Sequence, residues 1–118
     1  ALSSAASDVY KRQVYENKKK EYIGFQTEGH AGYAEAGQDI VCAAASVLVI
    51  NTMNAIEAFA DDQASLVTEE EEGFIHYELN GRPSMEASLL LKTMVLGLSE
   101  MAHDEDYAQY IDLTFEEV

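Results

Sequence analysis

The chain has little of what ties small domains together covalently. Its 118 residues include one cysteine, one proline and no tryptophan. A single thiol, Cys42, cannot close an intramolecular disulfide, so nothing points to an oxidising compartment. Positive charge is also scarce: seven lysines and arginines stand against 22 acidic residues, a net charge of −15. A surface of that sign repels phosphate, so direct binding to nucleic acid is not expected. A basic protein would be attracted instead, and faster at low salt. Long apolar runs are missing too. The longest, residues 40–50 with Ser46 inside it, is too short to cross a bilayer, and no membrane partner is expected. No charged segment followed by an apolar one opens the chain, which makes the cytoplasm the expected location. Neither GxGxxG nor a Walker loop occurs, and one cysteine with scattered histidines gives no zinc spacing. Neither a cofactor nor a metal is expected.

What is present fits one small domain, with 47% hydrophobic and 25% charged residues. Residues 3–13, SSAASDVYKRQ, match the conceptual translation of a transposase-type sequencing adapter over eleven consecutive positions. Residues 1–13 are therefore expected to be an adapter-derived addition, with the domain assigned to residues 14–118. Setting that segment aside leaves 5 basic and 21 acidic residues, so the acidity is a property of the domain.

Local patterns predict seven elements. YIGFQT at residues 22–27, after a lysine-rich turn, reads as a strand, and Val14-Tyr15 as the stub of its hairpin partner. Residues 29–38, with Gly29, Gly32 and Gly37, read as a pliable loop. Asp39 suits an N-cap, and residues 40–60 contain neither glycine nor proline, which predicts a helix. Residues 65–71 and 74–79 flank a turn at Glu72-Gly73 as a second hairpin. Asn80-Gly81-Arg82-Pro83 is a turn, Ser84 caps a helix reaching about residue 103, and residues 110–115 form a last strand. The order strand-strand-helix-strand-strand-helix-strand predicts an α+β fold, a mostly antiparallel sheet with two helices packed on it. Met85, Met94 and Met101 on the second helix suit core or dimer packing. The carboxylate run at residues 69–72 suits a solvated turn.

The chemistry concentrates around Cys42. With Asp39 as cap, the thiol falls in the first helical turn, where unpaired N–H groups and the positive dipole end favour thiolate and could hold an oxyanion. His30, twelve positions earlier, ends the neighbouring strand, and the glycine-rich loop could return its imidazole to the thiol as general base and acid. The plainer alternatives are a small buried hydrophobe at Cys42 and a loop histidine at His30. Asp39 either orients His30 or caps the helix. Ser46, four residues on from Cys42, either touches the thiol or fills space.

Gly29-His30-Ala31, Gly37, Asp39-Ile40-Val41-Cys42-Ala43-Ala44 and Ser46 together resemble the signature of the ribosomal-processing cysteine protease family, also called Prp. The resemblance runs from about residue 14 to the C-terminus. It implies a homodimeric α+β enzyme that removes a short N-terminal extension from a basic large-subunit ribosomal protein. In that reading Cys42 matches the nucleophile and His30 its base, with Gly32 and Gly37 in a loop that closes over substrate. The chain departs from the family at its front, where adapter-like sequence replaces the first strand. Two other classes stay open on the residues alone. One is a non-catalytic acidic module that binds a basic ribosomal protein during ribosome assembly. The other is a redox switch at Cys42.

Overall fold

In the computed structural model, residues 10–29, 36–69 and 73–118 are described. Strands β1 (Tyr10–Glu16) and β2 (Tyr22–Glu28) form an antiparallel hairpin, with Arg12 opposite Thr27 and Val14 opposite Phe25. Asn17 builds the turn between them. Its Oδ1 accepts the N–H groups of Lys19 (2.9 Å) and Glu21 (3.0 Å), the short-range bonding that makes asparagine a turn former.

Helix α1 (Ala36–Phe59) is followed by strand β3 (Ala64–Glu69), strand β4 (Phe74–Leu79), helix α2 (Met85–His103), one 3-10 turn at Ala108–Tyr110, and strand β5 (Ile111–Glu117). The sheet order is β3-β4-β2-β1-β5, and every neighbouring pair is antiparallel except β1 with β5. Each helix is thus a crossover between parallel strands: α1 joins β2 to β3, and α2 joins β4 to β5. The two crossovers run towards opposite edges from strands of opposite direction. A common right-handed sense therefore lays both helices on one face.

Alternation along the strands turns Val14, Phe25 and Tyr77 towards that face, where they are buried. Val41, Ala45, Val49 and Ile56 of α1 meet Ala87, Leu91, Met94 and Leu98 of α2 above them. A Cβ at Gly97 would lie 2.9 Å from Leu48 Cδ1, so the missing side chain lets the two helices approach closely. Met94 is in this core and Met101 half-buried, while Met85 is exposed. Ser84 caps α2 as expected. Its Oγ accepts the Ala87 N–H at 3.1 Å, and the Asp62 carboxylate accepts from both the Ser84 N–H (2.8 Å) and its hydroxyl.

The α+β order is as predicted, with three corrections. First, β1 is a full interior strand beginning at Tyr10, so the sheet reaches four residues before the expected boundary at residue 14. Pairing with strands on both sides is available to any sequence without proline there, whatever its origin. Second, α1 starts at Ala36, so Gly37 and Gln38 belong to the helix rather than to a loop. Acids are favoured in the first turn as well as at the cap, and the single letter at Asp39 does not distinguish the two. Third, Ile40–Phe59 is long and apolar enough by length and mean hydropathy, 1.6, to cross a membrane, which the eleven-residue run alone did not suggest. In the fold, Val41, Cys42, Ala45, Val49 and Ile56 of this helix lie in the core.

Candidate active site

Because α1 starts upstream of Asp39, Asp39 is inside the first turn and not its N-cap, and Cys42 is in the second turn. The helix dipole acts mainly within the first turn, so the expected help to a thiolate from the helix end is weaker than the sequence implied. Cys42 lies on the helix face that carries Ala45 and Val49, and is only 4% exposed. It faces the sheet and forms no disulfide.

Two polar side chains occupy the neighbouring sheet positions. Arg12 and Thr27, paired across β1 and β2, are each 1% exposed. The Arg12 Nη1 donates to the carbonyl of Glu28 at 3.0 Å and to that of Lys11. Burial pulls this guanidinium below its usual range, and attraction to Cys42 partly offsets the shift. The attraction is reciprocal: a buried cation beside a thiol favours its ionised form. The Thr27 hydroxyl is buried with no hydrogen-bond partner among the described residues. Positive charge therefore reaches Cys42 from the strand beneath it.

Arg12 also ties the thiol's surroundings to the end of β2. Glu28, whose carbonyl it holds, is followed by Gly29 at φ +100°, a left-handed turn that glycine adopts without strain. The next residue in the chain is His30, which, with Gly32, lies outside the described residues. Gly29 and Ser46 are half-buried, and Ser46 stands one turn beyond Cys42 on α1. Of the carboxylate run at residues 69–72, only Glu69 is described, as the last residue of β3. Among the described residues no three histidine, cysteine or acidic side chains converge as a metal site.

Arg12 and Thr27 were not singled out from sequence. Period-two alternation, back from Val14 and forward from Phe25, places both on the core face. Arg12 was set aside with the adapter-like segment, and Thr27 passes for an ordinary strand residue.

Comparison with known proteins is consistent across sequence and structure. The family described as cysteine protease Prp matches residues 10–112. The ribosomal processing cysteine protease Prp of Bacillus subtilis (strain 168) is 32% identical over 89 residues, covering 72% of this chain and 80% of the relative. The protein of the same name from Staphylococcus aureus (strain Mu50) is 32% identical over 88 residues, 75% of this chain and 81% of its own length. Among solved structures, the essential ribosomal processing protease Prp from S. aureus in complex with a substrate peptide superposes with a TM-score of 0.83. It is 26% identical, and the match covers 92% of this chain and all of that one. SMU.848 from Streptococcus mutans superposes with a TM-score of 0.79 at 26% identity, over 93% of this chain and 99% of its own. With a buried thiol on the helix laid across the hairpin, a family match spanning most of its length and this shared architecture, the chain belongs to the cysteine protease Prp family.

Proposed function

We propose that this protein is a cysteine endopeptidase that removes a short N-terminal extension from a basic large-subunit ribosomal protein, acting in the cytoplasm. Cys42 is its nucleophile and His30 the base that takes the thiol proton and returns it to the leaving amine. The observation that carries this reading is the position of Cys42, beside a buried cation and across from the end of β2 that leads into His30. The family membership supports the reaction class, and the relatives named as ribosomal processing proteases support the substrate class. A charge of −15 supports attraction of a basic substrate. The working unit is a homodimer: Ile40 and Val47 of α1, with Met85, Leu89 and Leu96 of α2, are exposed large apolar side chains that a second copy would cover.

The test is mass spectrometry of the precursor ribosomal protein before and after incubation with wild type and with Cys42→Ala. Loss of the extension with wild type only is the expected result. Binding without cleavage by wild type would replace the protease with an acidic binding module.

A further inference from the structure

Among the described residues β3 is the last strand on its side of the sheet, and all six of its residues are exposed. Such an edge presents backbone N–H and C=O groups to any extended chain laid against it. Between this edge and the C-terminal half of α1 runs a groove of about 530 Å³. Its apolar floor is Met53, Leu66 and Tyr77, and its rim carries the carboxylates of Glu57, Asp61 and Asp62. Among the described residues, no lysine or arginine lines it. Asp62 is engaged by Ser84, whereas no partner is seen for Glu57 or Asp61 among the described residues.

Tyr77 offers a polar group beside the rim. The residue is only 6% exposed, and its hydroxyl has no hydrogen-bond partner among the described residues. Burial of the ring raises its phenol above the usual range, with Asp62 and Glu57 pushing the same way, so the hydroxyl, which still reaches solvent, lies near the acidic rim. A cationic side chain in the groove would meet the carboxylates, lay its methylene stem on Met53 and Leu66, and complete the phenol's bonding.

We propose that the groove and the open edge of β3 form a docking site for an extended basic peptide segment, which adds to the sheet as a strand and sets an arginine or lysine against Glu57 and Asp61. β3 runs parallel to β2, so its Ala64 end, where the groove lies, is at the opposite end of the sheet from Glu28 and Gly29. The site is therefore separate from the surroundings of Cys42, and it does not depend on the peptidase reading.

The probe is a fluorescently labelled peptide alternating arginine with valine, titrated by anisotropy into the Cys42→Ala chain so that cleavage plays no part. Glu57→Gln/Asp61→Asn is expected to weaken binding by about tenfold, the sum of two modest ion pairs. Both residues are exposed or rim-lying, so the fold should survive, which thermal unfolding checks. Glu105→Gln/Asp112→Asn makes the same change in charge away from the groove and should leave affinity within about twofold. Hydrogen exchange at the β3 amides should slow when the peptide is bound. Equal weakening by the two double variants, which means attraction by net charge alone, overturns the proposal. So does binding that leaves β3 exchange unchanged, or no binding at low salt.

Discussion

Arg12 of β1 and Cys42 of α1 attract one another across the helix–sheet interface, and the guanidinium that makes this attraction is almost wholly buried. The arrangement has two opposed consequences. A buried guanidinium loses hydration, so it weighs against the fold, while its charge favours thiolate at the proposed nucleophile. Its Nη1 nevertheless holds the Glu28 and Lys11 carbonyls, so Arg12→Met, which leaves both without that donor, should lower thermal stability by about 1–3 kcal/mol. The same change should move the pH midpoint of Cys42 alkylation upward. An unchanged midpoint would show that the guanidinium does not act on the thiol.

The residues differ in how far they could be read from sequence. Phe74–Leu79 and the Ser84 cap were legible because alternation and capping are local, and the neighbouring turn signals agree with them. The start of α1 was not, since Asp39 suits either the cap or the first turn and Gly37 argues against a helix it nevertheless joins. Cys42 and His30 stood out by residue type and spacing. The environment of Cys42 did not, because Arg12 reaches it through strand pairing rather than through sequence proximity. The docking groove was hidden for the same reason: Tyr77, Leu66 and Glu57 come together only when α1 has crossed from β2 to the sheet edge.

At Gly24, too, chain geometry rather than chemistry selects the residue. A Cβ there would lie 2.3 Å from the Tyr77 carbonyl oxygen and 2.9 Å from the Glu78 Cα, both backbone atoms of β4 that cannot move independently. Gly24→Ala should force β2 and β4 apart and cost about 1–3 kcal/mol, as overpacking typically does. Chemical denaturation of the variant measures it. A loss below a few tenths would mean that the pairing of β2 with β4 adjusts without strain.

The β1–β2 turn should show a pH-dependent stability. The Asn17 Nδ2 donates to the Glu21 carboxylate at 2.9 Å, and Arg82 Nε donates to both of its oxygens at 3.2 Å. The Asn17 bond is the largest cause holding Glu21 below its usual range, opposed by some desolvation and aided by Arg82. A carboxyl whose pKa is depressed by folding adds stability above its unfolded pKa and loses it as pH falls through the folded one. Asn17→Ala should cost about 1 kcal/mol at any pH from the turn bonds to the Lys19 and Glu21 N–H groups. While Glu21 is ionised, the lost Nδ2 bond to its carboxylate adds a further cost. That cost should shrink on acidification below about pH 4, the ordinary range for glutamate. A cost independent of pH would assign the whole effect to the backbone turn.

His30 carries the part of the proposal that separates a protease from a reactive thiol. Loss of a general base and acid typically lowers turnover by about 10²–10⁴-fold, so His30→Ala should cut peptide cleavage by that order. If imidazole only deprotonates the thiol, raising the pH should restore much of the activity, because hydroxide can then do the same work. If it also protonates the leaving amine, activity should stay low at every pH while alkylation of Cys42 recovers, and this second pattern is the one expected of a peptidase. Asp39→Asn provides the companion measurement. Asp39 lies within the first turn of α1, so a role limited to the helix predicts a small loss of stability with near-normal turnover. A role in orienting His30 predicts the reverse, a large fall in turnover with the melting temperature unchanged. Should His30→Ala cleave as fast as wild type from pH 5 to 9, the imidazole has no part in the chemistry, and the base must be sought elsewhere around Cys42.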